Sequence, residues 1–151
     1  MFCTRLFSLL LTLFVVSCAV SARPLWLTRA LMPRQSTLNV ATCTDPATQL
    51  VEHDCNVALL GLGGGIAGTI EFLRVNSSTT SATSGTCTVT ATAVDGGETI
   101  DISKGRLEGH GSTNGGFDNL LTACGPSPGS MVIGGGANPT GNIQIAISAA
   151  A

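Results

Sequence analysis

Tyrosine is absent from the 151-residue chain, tryptophan occurs once and histidine twice. Side chains that stack on bases or sugars, or that move protons near neutral pH, are therefore scarce. Charge is thin as well: Asp, Glu, Lys and Arg make up 11% of the residues, against about a quarter in an ordinary globular chain. That excludes a charge-rich coiled coil, and a net charge of −2 argues against a basic nucleic-acid binder. The cysteines have no CxxC-type spacing, and His53 and His110 complete no zinc pattern with them. We expect neither a metal nor an organic cofactor, and no nucleic-acid partner.

One long apolar run is present, and it lies at the N-terminus. Arg5 precedes Leu6 to Val16, which is almost wholly apolar, and Val20-Ser21-Ala22 places small residues where a signal peptidase reads. Residues 1–22 read as a cleaved signal peptide. A spanning helix needs ~20 apolar residues, and Ser8, Thr12, Ser17 and Cys18 dilute this run. No later segment is long or apolar enough to insert stably in a membrane. Residues 23–34, RPLWLTRALMPR, hold three of the seven basic residues and the only Trp. They read equally as a pro-segment removed after Arg34 or as a disordered tail that stays attached. From Gln35 onward, three cations face all nine acids, a net charge of −6, so the domain at 35–151 is acidic. The composition places the protein outside the cell.

Cys3 and Cys18 leave with the signal; Cys43, Cys55, Cys87 and Cys124 remain. Four cysteines in a secreted domain read as two disulfides with three possible connectivities. A helix capped by Asp45 would carry Cys55 ~15 Å along its axis from Cys43 at 1.5 Å per residue, beyond the ~7 Å reach of a bridge. This leaves Cys55–Cys87 with Cys43–Cys124 as the first choice, and Cys43–Cys87 with Cys55–Cys124 as the alternative. Asn76-Ser77-Ser78 is the one usable N-glycosylation sequon, in a Ser/Thr-rich stretch read as a loop; Asn138-Pro139-Thr140 is excluded by its proline.

Hydrophobic periodicity divides the domain into strands and helices. Leu38–Thr42 reads as a first strand. Asp45-Pro46 opens a helix whose stripe Leu50, Val51, Asp54, Cys55, Ala58, Leu59 and Leu62 turns one way while Glu52, His53 and Asn56 turn the other. Gly63-Gly64-Gly65 stops it. Thr69–Val75 and Thr86–Ala93 read as strands, the second with Cys87, Val89, Ala91 and Ala93 on one face and threonines on the other. Asp95-Gly96-Gly97 signals a hairpin to Glu98–Ser103. Phe117, Leu120, Leu121 and Cys124 mark a second helix, ended by Gly125-Pro126. Ser130–Gly134 and Asn142–Ser148 form a last hairpin joined by GGANPTG. The expected fold is α+β: a two-layer α/β sandwich, a mainly antiparallel sheet of about five strands covered on one face by two helices and stapled by disulfides.

Catalytic constellations are not assembled by the sequence. His53 sits on a polar helix face, and His110 lies in the loop Glu108-Gly109-His110-Gly111 with no GxSxG-type nucleophile in the chain. Glu71, Glu98, Asp101 and Glu108 could be paired on paper as glycosidase carboxylates, but acids scattered over a small acidic domain give such pairs by chance. Gly61-Leu62-Gly63-Gly64-Gly65 follows a helix and precedes a strand, the reverse of a dinucleotide fingerprint.

A first strand, a helix bearing Asp54-Cys55, a strand Thr86-Cys87-Thr88-Val89, a helix Leu120-Leu121-x-x-Cys124, a Gly-rich hairpin and a final strand together resemble fungal secreted killer-toxin-like and effector-like proteins. The architecture is also similar to small glycan-binding proteins of mushrooms. The resemblance implies a sandwich of about five antiparallel strands and two helices held by disulfides. The chain lacks the basic, Cys-rich surface of the killer toxins, which argues against channel blocking. The expected function is that of a secreted, non-enzymatic interaction protein binding an extracellular protein or glycan; the alternative is a lectin-type glycan binder. Phe72 and Phe117, the aromatics of the domain, both read as core, which counts against the lectin. Lys104, Arg106, Glu108 and His110 concentrate charge in one stretch and form the first candidate partner-binding loop.

Overall fold

The computed structural model describes residues 37–67, 70–109 and 115–151. The expected signal peptide (1–22), the basic stretch 23–34 and His110 lie outside the described residues. In chain order the described elements are β1 (Thr42–Cys43), α1 (Glu52–Gly61), β2 (Gly65–Ala67), β3 (Ile70–Val75), β4 (Thr79–Ser84), β5 (Cys87–Val94), β6 (Thr99–Ser103), α2 (Lys104–Glu108), α3 (Phe117–Cys124), β7 (Gly129–Asn138) and β8 (Asn142–Ala149).

The α+β class and the antiparallel sheet are as expected, but the five-strand, two-helix sandwich is not. Seven strands run in the order β2-β3-β6-β7-β8-β5-β4, β1 pairs with β7 beside this path, and the sheet is nearly barrel-shaped, with three helices. The chain itself forces the curl. Asn76, Ser77 and Ser78 alone separate β3 from β4, yet four strands stand between them in the sheet. Laid flat, those two strands would be about 24 Å apart at ~4.8 Å per strand. Four Cα steps reach at most about 14 Å. The sheet has to roll up until β4 approaches β3.

The inside of this curl is the core. Every second residue of β5 is buried, Cys87, Val89, Ala91 and Ala93, and so are Ile143, Ile145 and Ile147 on β8, Ile100 and Ile102 on β6, and Leu73 on β3. Phe117 and Leu120 from α3, Leu107 from α2, and Cys55, Ala58 and Leu59 from α1 join them. These are the inward positions that the alternation specifies.

Four local readings need correction. First, the Ser/Thr-rich stretch after Asn76 is not a loop but strand β4, paired along its length with β5 from Thr79↔Thr92 to Ser84↔Cys87. β-Branched Thr favours an extended chain. As an edge strand β4 has no wholly buried residue, so no apolar alternation marks it. Second, α1 begins at Glu52, not after Asp45. Asp45 does accept hydrogen bonds, from the Ala47 N–H at 3.1 Å and the Thr48 hydroxyl at 2.6 Å, but these close an isolated turn. The chain then leaves the helical path so that the Leu50 N–H can reach the Pro126 carbonyl at 2.7 Å.

Third, Asp95-Gly96-Gly97 makes its tight turn, with φ of 56° at Asp95 and 94° at Gly96, but no hairpin. β5 pairs with β4 and β8, and β6 with β3 and β7, so the turn carries the chain past the β7–β8 hairpin. Fourth, Gly134-Gly135-Gly136 lies within β7 instead of connecting β7 to β8. The register with β8 shifts between Ile133 and Gly136, and beyond the bulge β7 pairs with β6 through Ile100↔Ala137. Gly136 is required there: its φ is 88°, and a Cβ would stand 2.8 Å from the Cβ of Ile102.

Candidate functional site

Two disulfides fix the helices to the sheet. Cys55 in the first turn of α1 bridges Cys87 at the start of β5, and Cys124 at the end of α3 bridges Cys43 on β1. This is the first of the two pairings weighed from sequence. Because α1 starts at Glu52, no helical rise from Asp45 separates Cys43 from Cys55. What keeps the two from pairing is that Cys43 is held opposite Gly129 on β7, beside the end of α3. Next to the Cys55–Cys87 bridge, Asp54 reaches the β4–β5 turn. Its Oδ2 accepts the Thr86 N–H at 2.8 Å and the Thr86 hydroxyl at 3.0 Å, while Thr86 Oγ1 accepts the Val51 N–H at 2.9 Å. The backbone donor of Thr86 first, then its hydroxyl, hold the Asp54 carboxyl below the usual carboxylate range. α1 has no side-chain N-cap of its own, and Thr86 supplies one of the acceptors that its first turn lacks.

The charged stretch expected to be one recognition loop is helix α2, stopped by Gly109 at φ 74°. Its cations are committed to the scaffold. Lys104 pairs with Glu71 at 3.3 Å, and Arg106 donates to the Gly134 carbonyl at 3.2 Å, so α2 is tied to β3 and to the β7 bulge. Glu108 instead faces α1 and α3, where it lines an open groove with Asn56, Leu59, Leu60 and Asp118. The structure thus separates Glu108 from Arg106 in role.

That groove was not visible in the sequence. One wall is the Glu52, Asn56, Leu60 face of α1; the other is Asp118, Leu121 and Thr122 of α3, continuing into Gly125 and Pro126. Its larger part encloses about 610 Å3 and its extension towards Glu108 about 230 Å3, with Asn56 and Asp118 shared by both. Leu60 is 60% exposed at its edge. The spacing of Asn56 and Leu60 on α1, one turn apart, was there to be read, but which helix would face it was not.

Phe72 is not core. Phe117 is fully buried, whereas Phe72 lies on the outer side of β3, partly exposed, with the Arg74 guanidinium carbon 5.7 Å from its ring centre. Arg74 pairs with Asp101 at 3.1 Å across the β3–β6 register. The period-two alternation around buried Leu73 is the sequence signal that puts Phe72 outside. Asn76 is exposed in the bend between β3 and β4.

Among the described residues, no group of three or more His, Cys, Asp or Glu is placed to hold a metal ion, and no helix is long and apolar enough to cross a membrane. The disulfides are consistent with an extracellular protein. No family model, curated protein or solved structure matches the chain.

Proposed function

We propose that this is a secreted, non-enzymatic interaction protein, effector-like or killer-toxin-like in kind, that binds an extracellular partner through a preformed surface. The observation that carries the reading is that each helix walling the α1–α3 groove is separately bridged to the sheet, α1 by Cys55–Cys87 and α3 by Cys124–Cys43. A surface fixed in this way loses little conformational entropy when a partner docks, so more of the contact energy appears as affinity. The test has two arms. Purified protein is cross-linked to intact cell surfaces and the captured partner is then titrated by calorimetry. The same preparation is incubated with polysaccharide, peptide and ester substrates. Saturable binding without turnover supports the reading, and turnover of any of the three substrates overturns it.

A second reading, glycan binding, is favoured by Phe72. An outward ring beside a guanidinium and a carboxylate offers the stacking face and polar partners that sugars use, and it removes the objection that both aromatics are core. A glycan array tests it, with F72A as the control: a specific signal lost in F72A promotes the lectin reading over the first.

A further inference from the structure

We propose that the α1–α3 groove docks a basic, apolar-bearing segment of a partner polypeptide. This rests on the binding reading above and names the partner chemistry of that surface. The argument is one of complementarity. Three carboxylates from three helices line the groove, Glu52 on α1, Glu108 on α2 and Asp118 on α3, and among the described residues none of the lining side chains is basic. The three cations of the described domain serve elsewhere: Arg74 on Asp101, Lys104 on Glu71 and Arg106 on the Gly134 carbonyl. Lys104 lies one turn before Glu108 and shares with it a small pocket against Leu59 and Leu60, where its ammonium is paired with Glu71 on β3. His53 neighbours Glu52 on α1 but is not among the residues lining the groove. Between the carboxylates lie apolar surfaces: Leu60, 60% exposed, with Leu121 and Pro126.

The dimensions select the size of the occupant. From Glu52 to Leu60 the α1 wall rises about 12 Å at 1.5 Å per residue. An extended peptide advances ~3.3 Å per residue, so four or five residues fill the groove. In an extended segment alternate side chains turn to opposite sides. Basic and leucine-like residues in alternation meet both the carboxylates and the apolar side chains of the two walls.

The probe is a blocked pentapeptide of alternating lysine and leucine, titrated into the whole processed protein at pH 7.5 and followed by amide chemical shifts. The shifts are expected to cluster on Glu52–Leu60, Glu108 and Phe117–Pro126. E52Q/E108Q is expected to raise Kd about fivefold, from two surface charge pairs, whereas D95N/E98Q, which removes the same charge from the Asp95–Glu98 connection at the far end of β5, leaves it unchanged. L60S weakens the alternating peptide but not penta-lysine. Raising salt from 0.1 to 1 M shortens the screening length from about 10 to about 3 Å and weakens binding. Equal effects of the two double variants, shifts spread over every acidic residue, or equal binding of a glutamate–leucine peptide would overturn the proposal. So would a captured partner that binds E52Q/E108Q and L60S with unchanged affinity, and in that case the binding reading itself stands. Turnover of substrate overturns that reading, while the peptide titration continues to judge the groove separately.

Discussion

Removing each disulfide in turn sets two effects against each other. In the chain-entropy account, a bridge stabilises by the loop that it closes in the unfolded chain. The Cys43–Cys124 separation of 81 residues gives about 4.5 kcal/mol, and the Cys55–Cys87 separation of 32 about 3.7 kcal/mol. On loops alone, C43A/C124A is the more damaging change by about 0.8 kcal/mol. Packing opposes this. Cys55 and Cys87 are both fully buried, whereas Cys43 is exposed and Cys124 only partly covered. Deleting a buried sulfur forfeits about 1 kcal/mol, comparable to a buried methylene, and leaves a void whose cost adds to it. Two such deletions, about 2 kcal/mol, exceed the loop difference. C55A/C87A is therefore expected to be the less stable variant by about 1 kcal/mol, despite its shorter loop. Reversible urea unfolding of both variants, each keeping its other bridge, measures this. With m near 2 kcal/mol/M the midpoints should differ by about 0.5 M. A lower midpoint for C43A/C124A would refute the reasoning and show that loop length outweighs burial here.

Three further outcomes follow from named contacts. I145A empties a fully buried position in the central strand β8 and should cost about 2–5 kcal/mol, read as a fall in the urea midpoint at unchanged m. Asp54 has a lowered folded-state pKa, so its stabilisation is fully present above the unfolded carboxylate value and is lost as pH falls through the folded one. D54N should be less stable than the parent at neutral pH, and the gap should close on acidification below that range; a constant gap from neutral to strongly acidic pH would contradict the assignment. Asn76, exposed in a three-residue bend, should carry a glycosidase-sensitive mass increment when the chain is expressed through a eukaryotic secretory route, and N76Q should lack it.

What the sequence made legible was burial. The inward faces of β5, β6 and β8 and the stripe of α3 are consequences of hydrophobic periodicity, and periodicity is local. Three things were not legible. β4 shows no apolar period, because an edge strand under a helix need not bury a whole face. The start of α1 could not be placed from Asp45-Pro46, because a capping bond forms equally well in an isolated turn; what moved the helix was the distant Pro126 carbonyl and the bridge to Cys87. The groove required knowing that α1 and α3, 56 positions apart from Gly61 to Phe117, share one side of the curl. Phe72 is a different case: its outward position was encoded in the strand period, and only the habit of burying aromatics argued otherwise.

The failed hairpin at Asp95-Gly96-Gly97 shows how partner choice differs from turn chemistry. Two residues with positive φ reverse the chain, and Asp-Gly supplies them cheaply. Which strand then lies alongside β5 depends on what else competes for that edge. β8 carries Ile143, Ile145 and Ile147, all buried, and it is the strand with most to lose at an edge, where its N–H and C=O groups would stay unpaired. Between β5 and β7 it is paired on both sides. There its isoleucines meet Ala93, Ala91 and Val89 on one side and Ile133, Met131 and Gly129 on the other. Large side chains thus stand beside small ones on β5, which lets the tightly curled interior fill without overpacking. A β5–β6 hairpin would leave β8 unpaired on one side and set Ile100 and Ile102 against the same alanines with only two isoleucines in place of three. The four residues Asp95–Glu98 suffice to pass the end of the β7–β8 hairpin, since five Cα steps reach about 17 Å and three strand spacings span about 14 Å. Gly97 makes the passage close, since a Cβ there would collide with that of Ala137 on β7. The strand order that β8 imposes places β5 and β7 on either side of it, and through the Cys55–Cys87 bridge to β5 and the Cys43–Cys124 bridge to β1 on β7 it carries α1 and α3 as the walls of the groove.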